Sequence, residues 1–291
     1  MKKLIYLFVC AVTAFSIHSC KRVGDDDGNL LNDMDANQPG LHGPRFLYQE
    51  MMGGIGINQY GYDLLKLVTV KNPLETTTIS YSGDRIYKID YDGWVGDDRT
   101  IITRFFNYAP NTNVVTSITE NETFYQDSSL PTPPPIVKRK ALYTITYQGE
   151  KKLEKIEMKQ GKDVVGQPFV YTNYSIAEYT YDADKKNVVK VDMKYGGIVA
   201  GNFDPPTALM TYNYMDYDDK KTPYSLLPFE YLLSVSLDNP YLNYYHSQNN
   251  PRRISSNDYV NPIQLKNTLY TYDPQGYPLT GFGMDFDYRP F

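Results

Sequence analysis

From Gly43 to the C-terminus, apolar and polar positions alternate with a period of two over short runs separated by polar turns, the pattern of half-buried β-strands. Tyr143, Ile145 and Tyr147 define a dry face and Thr144 and Thr146 a wet one; in the next run Ile156 and Met158 oppose Lys155, Glu157 and Lys159. One dry and one wet face is what antiparallel hairpins allow. The short polar turns at 148–150 and 182–184 fit hairpins. The unit of a tyrosine strand, a polar turn and an aliphatic strand recurs at 79–91, 143–158 and 179–193, with weaker copies starting at Tyr60, Phe106, Tyr212 and Tyr270. These seven hairpin-like units predict an all-β fold: a long, strongly curved antiparallel sheet of repeated hairpins, barrel-like, partly or fully closed, and soluble. After residue 60 no stretch keeps a helical period over three turns; short helices are expected only near 44–52 and 226–233. Prolines at 131–135 and 205–206 remove the amide donors a central strand needs and mark loops. The first of these breaks is read as a long loop in preference to a domain linker, because the same hairpin unit stands on both sides.

The N-terminus departs from this pattern. Lys2 and Lys3 precede an apolar run from Leu4 to Ile17, too short for a stable membrane span and typical of a secretory signal. The run closes on Ile17, His18, Ser19 and Cys20, which resembles the bacterial lipobox, with His18 where a small or aliphatic residue is usual. Residues 1–19 are therefore expected to be a lipoprotein signal peptide, and Cys20 the lipidated first residue of the mature chain. Residues 20–42, with the acidic run Asp25, Asp26 and Asp27, read as a flexible acidic tether, and residues 43–291 as a single β-hairpin-repeat domain. As a random coil the 20 residues Lys21 to Gly40 span roughly 25 Å, and fully extended ~65 Å, enough to clear lipid headgroups. The acidic run fits either a solvated linker or a surface-export signal. The surface side of the outer membrane is preferred here over the periplasmic face.

Composition narrows the function classes. The chain has 29 Lys+Arg against 34 Asp+Glu, and losing Lys2 and Lys3 with the signal leaves 27 against 34, a balance of −7. An acidic exported chain is a poor nucleic-acid binder, and no such partner is expected. Its two cysteines are Cys10, lost with the signal, and Cys20, consumed by lipid. That leaves no thiol for a disulfide, a cysteine nucleophile, a zinc site or an iron–sulfur cluster. Tyrosine is the strongest bias, 29 of 291 residues, and favours strands and half-wet surfaces, since the ring packs while the hydroxyl reaches water.

The repeated Tyr-x-Tyr-Asp hairpin is joined by Asn239-Pro240, by the segment from Ser247 to Pro251, and by Tyr270, Tyr272, Asp273, Gly276 and Pro278. Together these resemble a family of secreted Bacteroidota lipoproteins of unknown function whose domain is described as porin-like. The resemblance covers roughly residues 45 to 288. It implies a long antiparallel sheet curled toward a barrel and an envelope location, and it supplies no catalytic residues to carry over. The tyrosine–aspartate hairpin also resembles the repeats of large bacterial surface and toxin proteins, but this chain is too short for the cocoon those build. An integral membrane barrel is disfavoured: Phe282, Met284, Phe286 and Tyr288 are in phase, whereas Phe291 is out of phase behind Pro290, and a lipid anchor would be redundant.

Candidate chemistry is sparse. His42 and His246 lie at no metal-ligand spacing from another ligand, and His246 among tyrosines reads as a hydrogen-bonded surface residue. Residues 33–44 begin like a calcium loop but place Gln38 where glycine is required and Pro44 where a bidentate Glu belongs. Asp216, Asp218 and Asp219 read as a solvated turn rather than a calcium site, and the glycines at 53–56 as a flexible entry to the first strand. No metal and no cofactor are expected. Trp94, the only Trp, sits between Gly93 and Gly96 and reads as a loop residue that either stacks on a sugar ring or covers one end of the sheet. The expected function is a non-catalytic binding or structural lipoprotein of the cell envelope, attached to the membrane by its lipid, with a glycan or an apolar ligand as candidate partner. The alternative is a glycan hydrolase, which needs only two acids at a set separation in space.

Overall fold

The computed structural model describes residues 45–95, 98–125, 135–149 and 152–290. The expected signal peptide, Cys20 and the tether lie outside the described residues. The chain divides into a large compact unit, Leu47–Asp287, and a small one made of its two ends, Met1–Phe46 with Tyr288–Phe291. The helices and the sites described below belong to the large unit.

The chain is all-β, one large antiparallel sheet with two short helices. The strands are β1 (Arg45–Met52), β2 (Ile55–Asp63), β3 (Lys66–Lys71), β4 (Thr76–Ser82), β5 (Arg85–Val95), β6 (Asp98–Tyr108), β7 (Val115–Tyr125), β8 (Pro135–Tyr147) and β9 (Leu153–Lys162). They continue as β10 (Asn173–Tyr181), β11 (Val188–Val199), β12 (Asn202–Phe203), β13 (Ala208–Met215), β14 (Arg253–Asn257), β15 (Gln264–Asn267), β16 (Thr271–Tyr272), β17 (Pro278–Gly281) and β18 (Met284–Pro290). Sequential neighbours pair from β1 to β11, β13 pairs with β11 and β14, and β18 is also paired with β1. β14 pairs with β15 and β16 with β17, yet the sheet does not close into a barrel. β7 pairs directly with β8, so the proline-rich break joins neighbouring strands of one sheet.

The period-two reading carries through to burial. Ile145, Ile156 and Val191 are buried, while Thr144 on the opposite face is exposed. The tyrosine repeats have a specific role. Beside Tyr62, Tyr81, Tyr108 and Tyr147 the register shifts, because the strand that follows carries one extra residue, Val68, Tyr87, Thr116 and Glu154 respectively. Such a bulge increases the local twist, and each phenol beside it donates to a backbone carbonyl of an earlier strand. The acceptors are Leu47 for Tyr62, Leu67 for Tyr81, Ile86 for Tyr108 and Val115 for Tyr147. Each repeat is thus tied to a preceding hairpin by one hydrogen bond, and burial, with Glu230 in second place, pushes the Tyr81 hydroxyl up to about 12.

One sequence expectation is corrected and another holds with shifted bounds. Residues 45–52 form β1 rather than a helix, and the expected helix near 226–233 is α1 at Phe229–Asp238, followed by a 3-10 helix at Pro240–His246. α1 starts after Pro228, carries Glu230 in its first turn and ends before Pro240. Its buried residues, Tyr231, Leu232, Leu233, Ser234 and Ser236, point in all directions around the axis. A helix covered all round has no amphipathic stripe, so periodicity could not mark it.

The helical segment fills the concave side of the sheet. Tyr231 meets Tyr60 of β2 edge-on at 6.3 Å, Phe229 meets Tyr147 of β8 at 6.3 Å, and Asn243 accepts from Tyr179 of β10 at 2.6 Å. Tyr214 of β13 donates to the Pro240 carbonyl at 3.1 Å. Strands from β2 to β13 can all touch one short segment only if the sheet curls around it.

Candidate ligand groove and the buried polar clusters

Two polar clusters hold the helical segment in place. Arg104 of β6 pairs with Glu120 of β7 at 2.7 Å and reaches α1 through the Ser234 carbonyl and hydroxyl at 2.9 and 2.6 Å and both carboxylate oxygens of Asp238. Tyr143 of β8 donates to Glu120 at 3.2 Å. Burial works against the charged Arg104, but Asp238 and then Glu120 outweigh it and hold the guanidinium firmly protonated. In the second cluster Glu50, 2% exposed, accepts from Tyr60 at 2.9 Å, Tyr224 at 2.7 Å and Asn58 at 2.6 Å. Burial and the neighbouring Glu50 carboxylate keep both phenols well above their ordinary value, so they stay neutral donors.

His246 is not a surface residue. Its ring packs against Phe229 at 5.6 Å and Tyr179 at 6.5 Å, and Nε2 lies 3.0 Å from the Ser236 hydroxyl. That hydroxyl donates to the Leu233 carbonyl, so Nε2 is the donor to Ser236 and the shielded Nδ1 is left as a buried acceptor without a partner. Burial lowers the imidazole to about 4. The acids of the 216–219 turn go to separate partners: Asp216 to Arg253 at 3.0 Å, Asp219 to Lys220 at 3.4 Å, and Asp218 to the Asn250 amides and the Tyr272 hydroxyl. Among the described residues no group of three His, Cys, Asp or Glu side chains is placed to hold a metal ion. Gly53 and Gly54, both at positive φ, form the turn between β1 and β2 rather than an entry to the first strand.

Above the helical segment the concave face stays partly open. A recess of about 120 Å³ is lined by Tyr143, Met158, Ser175 and Tyr195 of the sheet with Ser236 and Asn243 of the helical segment. Three of its polar groups are already engaged: Tyr143 donates to Glu120, Tyr179 to Asn243, and Ser236 is bonded to His246. A larger groove of about 380 Å³ is lined by Arg139, Gln160, Lys162 and Asn173 of the strands and by Gln167 and Val170 of the 163–172 loop. The register makes recess and groove neighbours. Met158 opposes Ser175 and, two residues further along the same strands, Gln160 opposes Asn173, so all four share one face.

The loop over the groove is fixed by its backbone. Asp163 N–H donates to the Lys138 carbonyl and Thr172 N–H to the Gln160 carbonyl, both at 2.9 Å, while Phe169 and Tyr171 meet edge-on at 5.0 Å. Gly161 is required where the loop crosses β9, because any side chain there would overlap the Val170 carbonyl.

Trp94 lies elsewhere. It is in β5, opposite Arg99, not in a loop, and is 38% exposed. Tyr91, Ile102, Glu122, Arg139 and Lys162 are successive cross-strand partners and share one face. Trp94, three residues from Tyr91, points to the other face. The structure therefore does not bring Trp94 to the groove. Sequence reasoning missed Arg139, Gln160, Lys162 and Asn173; the available signal was the basic run 138–140 directly after the proline break, but its partners depend on register across the bulge at Tyr147.

No family model matches the sequence, and no curated protein matches it. Among solved structures the chain is similar to a porin-like protein from Bacteroides vulgatus ATCC 8482, at 13% sequence identity, with 85% of this chain and 100% of that chain covered and a TM-score of 0.49. Among the described residues no helix is long and apolar enough to cross a membrane.

Proposed function

We propose that this chain is a non-catalytic glycan-binding lipoprotein of the cell envelope, with the groove between β8, β9, β10 and the 163–172 loop as its site. The observation that carries this reading is the groove itself. Its volume of about 380 Å³ falls in the range of ligand sites, and its amides and cations alternate with the apolar Val164, Pro168 and Val170. Amide side chains both donate and accept, which suits the paired needs of sugar hydroxyls. An apolar cargo fits less well, because the recess of about 120 Å³ is slightly smaller than a cavity that holds one benzene ring. A hydrolase would need paired acids at the groove. No Asp or Glu is among its lining residues, and Glu120 and Asp238 are both engaged by Arg104.

In this reading Cys20 carries the lipid that anchors the chain to the outer membrane, on its surface side, and the acidic tether holds the domain clear of it. A Cys20→Ala precursor should lose acyl labelling and leave the membrane fraction. The test of the site is a glycan array probed with the mature chain and with Gln160→Ala/Asn173→Ala. Binding that the double variant loses and Trp94→Ala keeps supports the groove. Binding that Trp94→Ala abolishes would move the site to the opposite face of the sheet, and an array without signal would remove the glycan reading.

A further inference from the structure

Resting on the glycan reading of this groove, we infer that its ligand is acidic, a carboxylated or sulfated saccharide whose anionic group is held between Arg139 and Lys162.

Arg139 of β8 and Lys162 of β9 are direct cross-strand partners, so two cations stand side by side on one face. Like charges directly opposite in an antiparallel pair are destabilising unless an anion lies between them. The protein supplies little of that anion. Glu122, the partner of Arg139 on β7, approaches only to 3.5 Å. Burial and then the neighbouring Glu120 raise Glu122 above the ordinary carboxylate range, with Arg139 opposing. The acid nearest in sequence to Lys162, Asp163, is taken by Lys140 at 2.9 Å. Among the described residues no carboxylate forms an ion pair with Lys162.

The two cations are also presented to the groove. The Arg139 guanidinium packs over the Phe124 ring at 4.8 Å, which orients it, and its contact with Glu122 at 3.5 Å engages one of its five N–H donors. Both residues line the groove together with Gln160, Gln167 and Asn173. A uronate or sulfate group at the cations therefore leaves the ring hydroxyls beside the amides. Arg–carboxylate and Arg–sulfate contacts are charge-assisted and directional, so they select an acidic sugar over a neutral one of the same shape.

Isothermal titration of the mature chain with three oligosaccharides of equal length tests this: a galacturonate oligomer, a sulfated dextran oligomer and neutral dextran. The expected result is that at least one acidic oligomer binds ten or more times tighter than dextran. Arg139→Gln and Lys162→Gln should each weaken it about tenfold or more, and rising salt should weaken it further. Which acidic oligomer binds separates carboxylate from sulfate. Lys138→Gln, an exposed change on the other face of β8, should leave affinity unchanged. Lys162 is exposed at the end of β9, so its variant should fold normally, as circular dichroism would verify. Equal binding of neutral and acidic oligomers, or equal loss in Lys138→Gln and Lys162→Gln, overturns the acidic assignment and leaves the glycan reading standing. Absence of binding by all three, together with a silent glycan array, removes both.

Discussion

Arg104 and Glu120 are direct cross-strand partners whose side chains meet at 2.7 Å with only 3% and 4% of their surfaces exposed. Because the same guanidinium also holds Ser234 and Asp238, one side chain joins β6, β7 and α1. Arg104→Ala would leave Glu120 buried with Tyr143 as its remaining side-chain donor. The expected loss is about 3–5 kcal/mol, read from the urea midpoint at constant slope. A loss under about 1 kcal/mol would show that the helical segment is held by apolar packing alone.

Glu50 accepts from three side-chain donors, and a glutamine in its place has only one oxygen to offer them. Glu50→Gln should therefore lower stability by about 1–3 kcal/mol, the cost of leaving a buried donor unsatisfied. The tyrosine absorbance of the variant should shift as Tyr60 and Tyr224 change environment. An unchanged urea midpoint would mean that water replaces the lost acceptor.

His246 links stability to pH. Its imidazole titrates near 4 in the folded chain against 6.5 ordinarily. Between those values the unfolded chain binds the proton and the folded chain does not, so stability falls as pH drops from about 6.5 to 4 and levels off below. The contribution is on the order of 3 kcal/mol. His246→Gln removes this titration, and its melting temperature should vary less steeply between pH 7 and pH 4 than that of the parent. Parallel curves would place the ring in contact with water.

Gly161 makes room for the Val170 carbonyl, so Gly161→Val should lift the 163–172 loop from β9. The Thr172 amide, bonded to the Gln160 carbonyl at 2.9 Å, should then exchange with deuterium markedly faster. Glycan binding should weaken in step with it. Unchanged exchange at Thr172 would mean that the loop tolerates the extra volume.

The sequence by itself determined what depends on neighbouring residues. Alternation places Ile145, Ile156 and Val191 on the dry side and Thr144 on the wet side, because side chains along a strand have a fixed period of two. Polar turns between such runs make hairpins, and hairpins repeated along the chain make an antiparallel sheet. Only the tertiary structure decided what lies inside the curve and which side chains meet. α1, expected near 226–233, has no stripe to show which elements enclose it, and the ion pair of Arg104 with Asp238 connects residues 134 positions apart. Trp94 lies in a strand because β5 extends through Gly93, and its face follows from pairing with β6. The groove depends on Arg139 meeting Lys162. A shift of one residue at the Tyr147 bulge would turn one of them to the other face, and no local pattern of polar and apolar residues encodes that register.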